Sequence, residues 1–237
     1  MKIESIIQDQ ILDDNIIATS LPFLQGDGEM AELTRKYDWA STILGDPESW
    51  CSTLKSFVST VLLSKSPMFL WWGNDLIQFY NDAYRSSLGK EGEGKHPLAL
   101  GQCGKDCWPE IWPTIKPLID HVIQKKEGVW NEDLLVPIFR NGGIEDVYWS
   151  FGYTPVLEED GNVGGVLVTC QETTQKVNML RKLKESDDRF KNLIRDSTVG
   201  IIVLEGESFV VKVVNDIYCT LIQKNYEDVI GQCIFDI

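Results

Sequence analysis

Apolar positions fall at helical period after Asp46-Pro47-Glu48, where Trp50, Leu54, Phe57, Val58, Val61 and Leu62 share one stripe. Asp46 stands at an N-cap position and Pro47 at the first helical position, so the pattern predicts an amphipathic helix packed on a core. After Ser66-Pro67 the period changes. Met68-Phe69-Leu70-Trp71-Trp72 and Leu76-Ile77-Gln78-Phe79-Tyr80 flank Gly73-Asn74-Asp75, which predicts two strands and a tight turn. Asn81 follows as the cap of a short helix, and then a Gly-rich loop from Gly89 to Gly94. From Trp108 onward, Ile111, Ile115, Leu118, Ile119, Val122 and Ile123 line one face of a second long helix. Pro109, Pro113 and Pro117 confine its regular part to Thr114 through Glu127, and Gly128 ends it. Three strand-like segments close the pattern: Val129 to Phe139, Ile144 to Val156 and Val163 to Gln171. The loops between them, Asn141-Gly142-Gly143 and Asp160-Gly161-Asn162, are short enough only for antiparallel neighbours.

These elements predict an α+β fold, a five-stranded antiparallel sheet with helices on one face. Residues 1–28 alternate apolar pairs with acids and are expected to form a weakly ordered N-terminal extension; 29–66 are a helical lead-in and 67–173 the domain core. Beyond Thr174, Val177, Leu180, Leu183, Phe190, Leu193 and Ile194 are set among charged residues. That pattern predicts a connector helix over 174–196 of the kind that packs on a partner helix, with Leu180, Leu183, Phe190 and Leu193 as contacts in a dimer.

The chain also repeats itself. Leu76-Ile77-Gln78-Phe79-Tyr80-Asn81-Asp82-Ala83-Tyr84 is echoed by Val210-Val211-Lys212-Val213-Val214-Asn215-Asp216-Ile217-Tyr218. Leu100-Gly101-Gln102-Cys103 is echoed, in the same order, by Ile230-Gly231-Gln232-Cys233. Residues 197–237 therefore read as the start of a second domain of the same kind, lacking any counterpart of the long helix and the three strands. A fragment of a longer protein is expected.

Charge narrows the functions. With 22 Lys and Arg against 36 Asp and Glu, the net charge of −14 disfavours nucleic acid and anionic membranes as partners. No apolar run reaches the roughly 18 residues of a membrane span, and the N-terminal segment lacks a basic signal-peptide start, so a cytoplasmic location is expected. Six scattered cysteines suit buried free thiols, and no metal site is expected. Gly89 to Lys95 has the GxxxxGK spacing of a phosphate loop. However, His96 stands where Ser or Thr would meet magnesium, Glu91 and Glu93 repel phosphate, and Pro97 opposes a following helix, so a surface loop is expected.

The Asn-Asp-x-Tyr block after two strands, the Gly-Gln-Cys turn, the long helix and the three strands ending in Glu172-Thr173-Thr174 resemble a PAS domain. Trp71-Trp72-Gly73, Lys95-His96-Pro97, Trp108-x-Glu110-Ile111-Trp112 and Gly164-Gly165-Val166 are similar to the PAS region of multi-PAS bacterial sensor histidine kinases. The resemblance implies a sensory, signal-transducing homodimer with a downstream kinase domain in the parent protein. Glu172, Thr173 and Thr174 would pass strain into the connector helix. The chain itself is expected to be non-catalytic, because neither His96 nor His121 has the acidic neighbour of a phosphoacceptor box and no ATP-lid motif is present.

A small-molecule ligand would sit among Trp72, Tyr80, Asn81, Tyr84, Trp108, Trp112 and Trp149. The alternative for these aromatic residues is a packed core or an interface, with Asn81 stabilising its turn. No cofactor is specified. Haem is disfavoured because His121 lies about 120° from the centre of its helix's apolar stripe, and flavin because the cysteine-centred motif of light sensors is absent. The alternative function is a dimerisation scaffold that senses nothing.

Overall fold

The computed structural model describes residues 21–90 and 93–237. Most of the expected N-terminal extension (1–20) and Glu91 of the Gly-rich loop lie outside them. Two compact units are present, one ending at Thr174 and one running Gln175–Ile237.

In the first unit, α1 (Glu29–Lys36) has acidic residues in its first turn and basic ones in its last, the arrangement that complements the helix dipole. Leu21 and Leu24, ahead of it, are buried in the core. Asp46 does act as a cap, accepting from the Glu48 N–H at 2.8 Å, but of a single 3-10 turn, Pro47–Ser49. Trp50 is then extended, and α2 (Ser52–Leu63) starts afresh. The predicted continuous helix is broken because the Trp50 ring is drawn into an aromatic cluster, 5.2 Å from Trp39 and 5.6 Å from Phe79 between centroids. Its indole N–H also donates to Gly45 O at 3.0 Å. Burial of a large ring outweighs one more turn of helix.

The sheet consists of β1 (Met68–Trp72), β2 (Ile77–Tyr80), β3 (Val129–Leu135), β6 (Tyr148–Leu157) and β7 (Val163–Glu172), antiparallel in the order β2-β1-β7-β6-β3. Between them lie the short α3 (Asp82–Arg85) and α4 (Gly104–Cys107), then α5 (Trp112–Lys125). Strand alternation puts Phe69, Trp71, Gln78 and Tyr80 on one face and Leu70, Trp72 and Phe79 on the other. The first face packs against α5 through the buried Ile115, Ile119 and Val122. At the β1–β2 edge the second face is covered by the lead-in, where Trp39 stacks on Phe79 at 4.8 Å.

The segment Val129 to Phe139, read as one strand, is two. Pro137 has no N–H to give a ladder, so β3 stops before it, and Ile138–Arg140 (β4) pairs instead with Gly143–Glu145 (β5) in a separate hairpin. The Val136 N–H donates to Val147 O at 2.9 Å and closes the hairpin's base.

The second unit contains most of α6 (Thr174–Arg195), the hairpin β8 (Ile202–Glu205) and β9 (Val210–Val214), α7 (Asp216–Ile222) and α8 (Tyr226–Val229). The sequence repeat is also a repeat of hydrogen bonds. Asn81 accepts from the N–H groups of Met68 and Tyr84 and donates to the carbonyls of Ser64 and Ser66. Asn215 accepts from Ile201 and Tyr218 and donates to Ile194 and Val199. Ile77 bridges Cys103 as Val210 bridges Cys233, and the turn residues just before those strands, Leu76 and Phe209, both take a positive φ, 53° and 48°.

Candidate functional site

Between the helix-facing side of the sheet, α5 and the β4–β5 hairpin lies an apolar cavity of about 50 Å³. β1 contributes Phe69 and Trp71, β6 contributes Trp149, Phe151 and Tyr153, β7 contributes Val168 and Cys170, and α5 with the turn before it contributes Ile111 and Ile115. Val136 and Ile138 form the hairpin wall. At a third of the roughly 150 Å³ of an engineered cavity that binds benzene, the space suits only a very small molecule.

Of the residues expected to line a pocket, the structure brings Tyr84, Trp108 and Trp149 to this cavity. Trp72 is on the other face, packed so closely on Gly165 that a Cβ there would lie 2.7 Å from its ring. Tyr80 is buried but turned to His96, Asn81 serves as the helix cap described above, and Trp112 is half-buried at the rim of the core. His121 is exposed.

Two of the polar groups around the cavity, the Trp71 and Trp108 indoles, share one buried acceptor. Gln78, fully buried, accepts at Oε1 from the indole N–H groups of Trp108 (2.7 Å) and Trp71 (3.1 Å). A buried amide that satisfies two indoles fixes both rings. Burial pushes the thiols of Cys107 and Cys170 up to about 12, which keeps them protonated. Among the described residues no group of three or more His, Cys, Asp or Glu side chains could hold a metal ion.

The hairpin that walls the cavity also reaches the end of the domain. Arg140 donates from Nη1 and Nη2 to both carboxylate oxygens of Glu172, the last residue of β7, at 2.9 and 3.1 Å, and from Nε to Glu145 at 2.8 Å. Glu110 accepts from the Phe139 N–H at 2.8 Å and pairs with Lys95, so the hairpin is tied to the helical side as well. Next along the exit, the Thr173 N–H donates to Tyr148 O at 2.7 Å, and Thr174 Oγ1 accepts from the Tyr148 N–H at 3.0 Å. Thr173 Oγ1 is buried without a hydrogen-bond partner among the described residues. Glu172, Thr173 and Thr174 therefore converge on Arg140 and Tyr148.

One constellation escaped the sequence altogether. His96 is buried, its Nδ1 2.8 Å from the Tyr80 hydroxyl and its Nε2 3.1 Å from Glu29. Glu29 is also paired with Arg85, so α1 is pinned to the domain through a histidine whose spacing gives no sign of this role.

The strand order, the helices on the cavity side and the polar exit are joined by a family match: residues 74–178 fit the model described as PAS fold. The five-stranded unit has the PAS fold.

Solved structures similar to the chain include a sensory box sensor histidine kinase from Vibrio cholerae, at 16% identity over 46% of this chain and 79% of that one, TM-score 0.34. The PAS domain of a protein from Colwellia psychrerythraea matches at 13% identity over 52% of this chain and 98% of that one, TM-score 0.39. The PAS domain of BvgS from Bordetella pertussis matches at 16% identity over 59% and 99%, TM-score 0.39. No curated protein matches the chain. No helix among the described residues is long and apolar enough to cross a membrane.

Proposed function

We propose that the PAS domain is the sensory module of a bacterial two-component sensor histidine kinase, and that it passes cavity occupancy to α6 through Glu172, Thr173 and Thr174. The observation that carries this reading is that one element, the β4–β5 hairpin, both walls the cavity with Val136 and Ile138 and grips Glu172 with Arg140. A ligand that displaces the hairpin wall by a fraction of an ångström changes the restraint on the domain's last strand residue. A two-state exit biased in this way is a population shift.

The partner is a second copy of this chain. Met179, Leu183, Phe190 and Leu193 are exposed and, with Ser186 between them, follow the alternating four and three spacing of a coiled-coil seam, flanked by Leu180. In a parallel pair Lys182 of one copy comes opposite Asp187 of the other, which favours that orientation. Residues 197–237, with Asn215 repeating the bonds of Asn81, are the start of a second PAS domain. The kinase parent and its cytoplasmic location rest on the sequence resemblance.

The small size of the cavity favours a second reading, a dimerisation scaffold with a closed core. Hydrogen exchange over Thr174–Arg195, measured with and without xenon pressure on the dissolved chain, separates the two. A change in exchange when xenon fills the cavity supports the sensor, and unchanged exchange with the cavity filled leaves the scaffold.

A further inference from the structure

Tyr84 and Tyr153 both line the cavity, and neither hydroxyl has a hydrogen-bond partner among the described residues. Of their neighbours, the Trp71 and Trp108 indoles donate to Gln78, the Trp149 indole and the Cys170 thiol have no partner among the described residues, and Phe69, Phe151 and Val168 carry no polar side-chain atom. Thr173 Oγ1 is the described buried polar atom that is both closed off and unpartnered, so the two phenol oxygens retain some accessible surface in residues that line the cavity. Burial raises both phenols above their ordinary value and so keeps them protonated as hydrogen-bond donors. No charged side chain lines the space.

Resting on the sensory reading of this cavity, we propose that it takes a small uncharged molecule of about two or three heavy atoms carrying one oxygen that accepts from the hydroxyls of Tyr84 and Tyr153. The size follows from the 50 Å³ volume. The lack of charge follows from the apolar lining, in which an ion would be desolvated without a counter-charge. The acceptor follows from two hydroxyl donors left unpaired in the wall.

The test uses two probes on the full chain, xenon for the apolar space and methanol for the acceptor, read by the indole N–H resonances of Trp108 and Trp149. Both probes are expected to shift these resonances saturably in the native chain. In Tyr84→Phe and Tyr153→Phe, methanol affinity is expected to fall roughly 3- to 10-fold, the loss of one neutral hydrogen bond, while xenon affinity is retained and reports that the fold is intact. Methanol binding that is unchanged in the double variant overturns the proposal. Xenon binding without methanol binding overturns the ligand class and leaves the sensory cavity standing, whereas binding of neither probe removes the sensory reading with it.

Discussion

Arg140 meets Glu172 end-on, both guanidinium Nη groups donating to the two oxygens of one carboxylate across 32 residues of sequence. Arg140 is mostly buried, whereas Glu172 and Glu145 keep about a third of their side-chain surface in water (35% and 38%), so the contact is strong in geometry and only partly shielded. Replacing Arg140 by Ala is expected to cost about 1–2 kcal/mol, a charge-assisted bond discounted for solvent screening. A urea unfolding series with Arg140→Ala, Glu172→Gln and the double variant checks this, the double costing less than the sum of the singles.

The same clamp makes stability depend on acid. Hydrogen bonds from Asn141 and then Arg140 hold the Glu145 carboxyl below its ordinary 4.5. A carboxylate whose folded value is depressed contributes stability that is fully present above the unfolded value and is lost as pH falls through the folded one. Hairpin protection against hydrogen exchange is therefore expected to be constant above pH 4.5 and to decline below it. In Glu145→Gln that decline should be reduced.

Asn81 satisfies four backbone groups from a fully buried position. Asn81→Ala leaves them without their partner and is expected to destabilise the first unit by about 3 kcal/mol or more, since each buried unsatisfied group costs about 1–3 kcal/mol and part is recovered by relaxation. Asn215→Ala breaks the equivalent bonds of the second unit. Thermal unfolding followed by the tryptophans, all of which lie in the first unit, should shift in Asn81→Ala and stay in place in Asn215→Ala.

Thr173 has the opposite sign. Its hydroxyl is buried with no partner, so Thr173→Val, which preserves shape and removes the oxygen, is expected to stabilise the first unit by about 1 kcal/mol. A lower unfolding free energy would mean that the hydroxyl is satisfied in solution.

Features carried by local spacing were legible in the sequence. Asn81 followed by Asp82-Ala83-Tyr84 reads as a cap because the bond it makes, to the Tyr84 N–H, is three residues away. The strands were legible from runs whose alternation is enforced by burial, and the repeat from blocks whose backbone geometry recurs. Long-range partners were not. Arg140 and Glu172, or His96 and Glu29, 67 residues apart, leave no periodic signal. Gln78 looks like a lapse in an apolar strand until the sheet places Trp71 beside it and α4 brings Trp108. The helix expected from Asp46 ends after one turn for the same reason, because the site that captures Trp50 is built by Trp39 and Phe79.

Coupling of the cavity to the domain's exit through the hairpin is tested most directly by comparing the native chain with Arg140→Ala. Both are loaded with xenon to the same occupancy, judged by the Trp108 and Trp149 indole signals, and hydrogen exchange is followed over Thr174–Arg195. A xenon-dependent change is expected in the native chain and is expected to be lost in Arg140→Ala. An equal change in both would contradict coupling through the hairpin, because the cavity would then communicate with the exit without the Arg140–Glu172 contact.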